Sequence, residues 1–96
     1  MHFTTALSVL AVAAAAVAHT HQCATCPETL PAGFEEIAWK FVAAADEAGT
    51  MFCGYQGKKR GSLKLFETFC SYYNRDGMII ENPDDLCPET VKVEEC

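Results

Sequence analysis

Six cysteines are the residues of this sequence with the clearest chemical potential. Cys23 and Cys26 have the C-x-x-C spacing of redox and zinc sites, but a redox motif belongs in a larger βαβ context and a zinc site takes several reduced ligands. An even number of cysteines in a short chain indicates structural disulfides instead, with the connectivity open. We therefore predict three disulfides and no free thiol among Cys23, Cys26, Cys53, Cys70, Cys87 and Cys96.

The first part of the chain is an apolar run that ends in small residues. The stretch 6–17 consists of Ala, Leu and Val apart from one serine, and it is shorter than the roughly 20 apolar residues that span a bilayer. A small residue at Ala18 matches the position that a signal peptidase reads. We therefore predict a signal peptide over 1–18, cleavage between Ala18 and His19, and one secreted domain over 19–96.

Cleavage at this position would place two histidines at the start of the mature chain. A free amine at His19, two backbone amides and the imidazole of His21 make a square-planar nitrogen set for Cu(II) or Ni(II). A first-residue histidine also chelates copper through its amine and ring, as in lytic polysaccharide monooxygenases, although those enzymes need a much larger β-sandwich. Extracellular Cu(II) binding at His19 and His21 is therefore one hypothesis, and no other cofactor is expected.

Lys58, Lys59 and Arg60 form a run of consecutive bases between two glycines. We interpret Gln56 to Ser62 as a loop, and the simplest role for its charges is solvation. Two alternatives stay open. Lys59-Arg60 is a dibasic pair of the kind that processing proteases cut, and a basic residue on a disulfide-held loop could enter the specificity pocket of a trypsin-like protease, which would make the chain an inhibitor.

Composition excludes several classes of function. Thirteen acidic against seven basic residues give a net charge of −6, which argues against a nucleic-acid partner because such proteins need a basic face. Carboxylate pairs occur at Glu35-Glu36, Asp46-Glu47, Asp84-Asp85 and Glu94-Glu95. Adjacent side chains point in different directions, so we interpret these pairs as solvated. His19 and His21 are the only histidines after the predicted cleavage site, and both lie at the very start of the mature chain. A catalytic triad is therefore not expected, and we do not expect an enzyme.

The hydrophobic pattern predicts the elements that must hold these residues. Apolar residues from Phe34 to Ala45 recur at intervals of three and four, which predicts a helix over Ala32 to Ala48. A competing interpretation makes Trp39 to Val42 a short strand, but the run of three alanines that follows favours the helix.

Strand formers dominate the rest of the chain. Thr50 to Tyr55 is predicted to be a strand with its cysteine on the same face as Met51 and Tyr55, and a turn ending in Asp-Gly predicts a hairpin over 68–81. Val91 to Glu94 is predicted to be a short closing strand. The expected fold class is α+β, a small disulfide-rich domain with one helix packed on a short antiparallel sheet.

Two short motifs occur twice in the chain. Cys-Pro-Glu-Thr begins at Cys26 and again at Cys87, and Phe-Cys-x-Tyr occurs around Cys53 and around Cys70. The distances between the copies differ, so we interpret them as reuse of good turn and strand chemistry and not as a tandem repeat. The aromatic setting of Cys53 and Cys70 predicts that they lie on neighbouring strands.

These motifs carry a resemblance to a group of known proteins. Over about residues 50–96, the chain resembles the small secreted cysteine-rich proteins of filamentous fungi, and most nearly the basidiomycete kind. The motifs that carry the resemblance are, in order, Phe-Cys-Gly-Tyr, a glycine-rich loop, Phe-Cys-Ser-Tyr, a turn ending in Asp-Gly, Cys-Pro and a terminal cysteine. The resemblance implies an effector-like protein with no shared reaction or catalytic residues. The chain resembles neither hydrophobins, which need eight cysteines with adjacent pairs, nor chitin-binding LysM modules.

The expected function is therefore binding outside the cell. We expect a secreted, monomeric, non-enzymatic protein whose partner is an extracellular protein or a cell-wall component, without nucleic acid and without a membrane span. Aromatic residues are the candidate contacts, although core packing is the expected role of most of them. They are Trp39, Tyr55, Tyr72 and Tyr73.

Overall fold

The computed structural model describes residues 21–33 and 35–96, and the regular elements in this part of the chain are all strands. They are β1 (Gln22–Ala24), β2 (Ile37–Glu47), β3 (Thr50–Lys59), β4 (Leu65–Tyr73), β5 (Ile79–Glu81) and β6 (Val93–Glu95). Strands β2 to β5 form one antiparallel sheet in the order β2-β3-β4-β5, and β1 pairs with β6 in a second antiparallel sheet. The small disulfide-rich domain is confirmed, but the predicted α+β class with one helix is wrong.

The segment predicted to be a helix is the long edge strand β2. It pairs with β3 along its whole length, and its first residues alternate, since Ile37 and Trp39 are buried while Ala38 and Lys40 are exposed. The same apolar residues also fit a helical period, which concealed the period of two. Alanine's helix preference over ordinary residues is at most about 0.7 kcal/mol per residue, so pairing with β3 outweighs it.

The other strand predictions agree better with the structure. The cysteine of β3 is buried together with Met51 and Tyr55. Strands β4 and β5 form the hairpin predicted over 68–81, and β6 supplies the closing strand expected near the C-terminus. The predicted loop over Gln56 to Ser62 is wrong in its first half, because β3 continues to Lys59.

The core lies on one face of the four-stranded sheet. Its largest fully buried side chains are Tyr55 and Tyr72, which stand on the two central strands. Segments from both ends of the described chain cover this face, and three disulfides fasten them: Cys23–Cys96, Cys26–Cys53 and Cys70–Cys87. The described residues contain no free cysteine, as predicted.

One Cys-Pro-Glu-Thr segment is bound to one Phe-Cys-x-Tyr strand in a unit that we call module 1. Its disulfide joins Cys26 to Cys53. The hydroxyl of Tyr55, two residues after the strand cysteine, donates a hydrogen bond of 2.6 Å to the carbonyl of Pro27. The next carbonyl of the segment accepts a 3.0 Å bond from the backbone N–H of Phe41 on the outer strand β2.

The second pair of motifs forms an equivalent unit, module 2, with the same bonds. Its disulfide joins Cys87 to Cys70. The hydroxyl of Tyr72 donates a 2.9 Å bond to the carbonyl of Pro88. The next carbonyl accepts a 2.9 Å bond from the backbone N–H of Ile79 on the outer strand β5. Each repeated motif therefore occupies the same structural position in its own module.

The two modules are related by an approximate twofold axis that passes between the central strands. Cys53 and Cys70 are directly opposite each other in the β3–β4 ladder, which confirms that they lie on neighbouring strands. Each outer strand carries one extra residue at the equivalent point, Val42 in β2 and Ile80 in β5. The interpretation of the motifs as local reuse is therefore incomplete. They mark an internal symmetry. In module 1 the Cys-Pro-Glu-Thr segment comes before its Phe-Cys-x-Tyr strand in the chain, and in module 2 it comes after it.

Candidate functional site

One end of the core face is closed and the other end is open. At the closed end, the backbone N–H of Ala24 in β1 donates a 2.8 Å bond to the Asn74 side chain, whose amide donates a 2.7 Å bond to Asp46. At the open end, where β2 and β4 begin, lies a groove of about 380 Å³. We call it the acidic groove. It is lined by Ala32, Gly33, Glu35, Ile37, Trp39, Phe66, Glu67, Asp84, Asp85 and Leu86.

Two loops form the walls of the acidic groove, and both are held in place. Asn82 braces the loop after β5, because its side chain both accepts a 3.0 Å bond from the backbone of Cys87 and donates a 3.3 Å bond to it. The loop before β2 touches this wall, since a Cβ atom built on Gly33 would lie 3.1 Å from the side chain of Leu86. Both walls therefore contact other parts of the described chain.

Backbone strain in the described residues is concentrated in the same two loops. Positive φ angles at residues other than glycine occur at Glu36 (54°), Asp85 (56°) and Ala48 (50°). The first two lie in the loops that wall the acidic groove, whereas Ala48 belongs to the tight turn between β2 and β3. Strained backbone is more common at functional sites than elsewhere, which favours a role for this groove.

Aromatic rings form the base of the acidic groove. Trp39 is only 6% exposed, and its indole fits over Gly57, where an added Cβ would come within 2.8 Å of the ring. Its Nε1 atom is buried without a hydrogen-bond partner in the part of the chain that the structure describes. Phe66 already attracts a cation, because the ammonium group of Lys64 lies 5.1 Å from the centre of its ring.

The chemistry of the groove suits a positively charged group. The residues that line it include four acids and no lysine or arginine, and one of the acids, Asp84, accepts a hydrogen bond from the hydroxyl of Thr68. Carboxylates attract a cation by charge, and aromatic faces attract it through their quadrupole. A guanidinium or ammonium group fits both features, and guanidinium adds a planar fork for carboxylates.

The C-x-x-C cysteines do not bond to each other. Cys23 is joined to Cys96, and Cys26 to Cys53. Cys23 Sγ lies 3.4 Å from a carboxylate oxygen of Asp46, but a disulfide sulfur has no proton to donate, so this is a packing contact. The pair therefore works as two separate structural bridges, as predicted for all six cysteines.

The predicted copper site is only partly within the described residues. Ala18 and His19, and with them the proposed cleavage site and the signal peptide over 1–18, lie outside the described residues. His21 is exposed, and its Nε2 atom lies 2.8 Å from Asp46. The hydrogen bonds from His21 and Asn74 hold the pKa of the Asp46 carboxyl below its ordinary value, although partial burial opposes them. Copper binding at the N-terminus stays a prediction.

The predicted basic loop is mostly strand. Lys58 pairs with both neighbouring strands and Lys59 pairs with β2, so only Arg60 stands in the turn, where the N–H of Ser62 bonds back to the carbonyl of Lys59 at 3.0 Å. All three basic side chains are exposed. Inhibition of a trypsin-like protease and processing at the dibasic pair stay predictions.

The aromatic candidates divide as expected. Tyr55 and Tyr72 are buried, while Tyr73 is 40% exposed and has the guanidinium of Arg75 4.8 Å from its ring centre. Trp39 is the one that both belongs to the core and lines the acidic groove.

Sequence reasoning missed the groove acids. Glu35 and the pair Asp84-Asp85 were interpreted as members of solvated doublets, yet they line a common groove although almost fifty residues separate them. The usable signal was their setting, because each doublet stands in a turn-forming segment that contains a proline: Asp84 directly follows Pro83, and Glu35 comes four residues after Pro31. Nothing in the sequence showed that the two turns meet.

Comparison of the chain with protein-family models, with curated proteins and with solved structures found no significant match. Within residues 21–33 and 35–96, no helix has the length and apolarity to cross a membrane. Three disulfides are typical of extracellular proteins.

Proposed function

We propose that this chain is a secreted, non-enzymatic binding protein that recognises a basic segment of an extracellular protein through the acidic groove. The observation that carries the proposal is the groove itself, in which loop carboxylates and the rings of Trp39 and Phe66 surround a space of about 380 Å³. A single arginine or lysine side chain is of a size to enter such a space. The effector-like role expected from the sequence is one form of this proposal.

Three features support binding at this place over a solvated surface. The wall after β5 is braced by Asn82 and by the Cys70–Cys87 disulfide, so little ordering of this wall is required when a ligand binds. At the other end of the sheet, β1 is bonded to Asn74 and pairs with β6, and the residues that line the cavity there include no acid. The chain's net charge of −6 would also speed its encounter with a basic partner.

The proposal is tested with an arginine-containing peptide and the mature, oxidised protein. Trp39 is the only tryptophan of the chain, so its fluorescence reports directly on the groove. The matched probe is the same peptide with citrulline in place of arginine, which keeps the shape and removes the charge. We expect saturable binding of the arginine peptide, weaker binding of the citrulline peptide, and a loss of affinity with added salt.

Variants locate the binding. The double variant Glu35→Gln with Asp85→Asn should weaken binding several-fold, because each exposed charge pair contributes roughly 0.2–1 kcal/mol. Asparagine tolerates the positive φ at position 85, so the loop should keep its shape. The control, Asp76→Asn with Glu94→Gln, removes the same charge away from the groove. Equal losses in both variants, or no discrimination between the two peptides, would contradict the proposal.

A further inference from the structure

A cluster of metal-ligating side chains lies at the closed end of the core face, away from the acidic groove. His21, Cys23, Asp46 and Cys96 each offer one ligand atom, and these atoms all lie within 4.8 Å of one another. In the oxidised chain Cys23 and Cys96 are bonded to each other, so their sulfurs are not free to bind a metal. The other two ligands, a ring nitrogen and a carboxylate oxygen, already lie 2.8 Å apart.

Backbone contacts hold the cluster together independently of its disulfide. Strands β1 and β6 pair in register, and the ladder is extended at one end by a 3.1 Å bond from the N–H of Cys96 to the carbonyl of His21. At the other end, the N–H of Thr25 donates a 2.8 Å bond to the carbonyl of Lys92. Opening the disulfide therefore leaves His21, Cys23 and Cys96 on one short ladder.

Asp46 is oriented toward the cluster by a separate interaction. The Asn74 amide donates a 2.7 Å bond to Oδ1 of Asp46, which leaves Oδ2 toward His21 and Cys23. Asn74 is itself buried and is fixed by the N–H of Ala24. A hydrogen-bonded neighbour that orients a ligating carboxylate is a regular feature of metal sites.

We propose that reduction of the Cys23–Cys96 disulfide converts this cluster into a four-coordinate Zn²⁺ site. A thiol reductant supplies two electrons and two protons and becomes a disulfide. A phosphine supplies two electrons and becomes a phosphine oxide, and water then supplies the oxygen and both protons. In either case the S–S bond breaks and two thiols form. Zn²⁺ then displaces both thiol protons, which pass to the buffer. Two thiolates, one imidazole and one carboxylate are ligands that zinc accepts in tetrahedral geometry.

This bridge is also the one that a reductant reaches first. It joins the buried Cys23 to the exposed Cys96, whereas each of the other two bridges joins a fully buried cysteine, Cys53 or Cys70, to a half-buried one. Limited reduction should therefore open Cys23–Cys96 and leave modules 1 and 2 intact. Zinc would then replace the lost cross-link between the β1 and β6 segments.

The test uses the mature protein after limited reduction with a water-soluble phosphine. Alkylation and mass spectrometry should first show that only Cys23 and Cys96 are free. Co²⁺ then serves as the spectroscopic probe, and one equivalent should give the intense visible bands of a tetrahedral thiolate site, which Zn²⁺ abolishes by displacement. His21→Ala and Asp46→Asn should each weaken Co²⁺ binding by at least about tenfold, while the exposed-acid control Asp76→Asn should not.

Three outcomes would overturn the proposal. The first is a reduced protein that binds no more Co²⁺ than the Cys23→Ser, Cys96→Ser double variant. The second is equal affinity in the wild type, His21→Ala and Asp46→Asn, which would mean that two thiolates act without the other ligands. The third concerns the strands. Circular dichroism of the Cys-to-Ser double variant shows whether the strands persist without the bridge. If the reduced wild type loses its strand signal and Zn²⁺ does not restore it, the proposal is also contradicted.

Discussion

Two buried tyrosines connect the covering segments to the sheet. Tyr55 and Tyr72 are at most 1% exposed, and each hydroxyl reaches the carbonyl of a proline that follows a disulfide cysteine. Burial disfavours the charged phenolate, so it raises the pKa of Tyr55 far above its ordinary value and raises the pKa of Tyr72 to about 12. Both side chains therefore act as neutral hydrogen-bond donors throughout the physiological range.

These pKa shifts predict a loss of stability in alkaline solution. The ordinary pKa of tyrosine is 10.0, so above pH 10 the unfolded chain releases protons that the folded chain retains. Unfolding becomes more favourable as pH rises from 10 to 12, by at most about 1.4 kcal/mol per unit of pKa difference for each residue. Urea unfolding across this range measures it.

The matched variants are Tyr72→Phe and Tyr73→Phe. The first removes one shifted phenol and should flatten the alkaline decline, while the second removes a partly exposed tyrosine and should leave it unchanged. A decline of the same size in Tyr72→Phe and in the wild type would show that Tyr72 is not its source.

At the scale of elements, the bulge in β2 explains why sequence reasoning found a helix. Ile37 and Trp39 are buried, Phe41 is half-buried and the residues between them are exposed, as in a strand, but the extra residue Val42 shifts the phase. Before the bulge the odd-numbered residues of β2 face the core, whereas beyond it the even-numbered Asp46 lies on that face. A change of phase within one strand breaks the alternation on which strand recognition depends. Strand β3 pairs with β4 without a bulge, and its first six residues, Thr50 to Tyr55, are correctly predicted to be a strand.

Two glycines of β3 give a paired test of the strand packing. An alanine at Gly57 would drive its Cβ into the side chains of Ile37 and Trp39, whereas at Gly54 the Cβ would lie 3.5 Å from the carbonyl oxygen of Ala43, an ordinary contact. We expect Gly57→Ala to destabilise by about 1–3 kcal/mol and Gly54→Ala to have little effect. Ser71, the symmetry equivalent of Gly54, already carries a side chain there.

Thermal unfolding measures both variants, and Trp39 fluorescence should change in Gly57→Ala alone. Similar stability losses in the two variants would contradict the packing of the indole over β3. Such a result would also remove the reason for placing Trp39 at the base of the acidic groove.

At the scale of the whole molecule, the two ends of a symmetric sheet have acquired different coverings. Modules 1 and 2 repeat the same disulfide, tyrosine and backbone bonds about the central strands. The additional β1–β6 pair closes only one end, and this asymmetry leaves the acidic groove at the other. The repeated motifs contained the information for two of the three disulfides, but the pairing became visible only when the distant partners were seen together.

The disulfide pattern predicts the products of trypsin digestion of the denatured, unreduced protein. If the mature chain starts at residue 19 as predicted, the cysteine-containing fragments are 19–40, 41–58, 65–75, 76–92 and 93–96. Two linked species are expected in the mass spectrum, one joining the first, second and last fragments and one joining the third and fourth. A species that joins the second fragment to the third, or a first fragment closed on itself, would contradict the modules.

The central claim is that a basic segment binds in the acidic groove, and nitrogen-15 NMR of the mature, oxidised protein tests it most directly. The chain has one tryptophan, so its spectrum holds one indole N–H signal. During titration with the arginine peptide, we expect that signal and the amides of Asp85 and Leu86 to shift in a saturable way while those of β1 and β6 stay in place. Absence of shifts, or the largest shifts in β1 and β6, would contradict the claim.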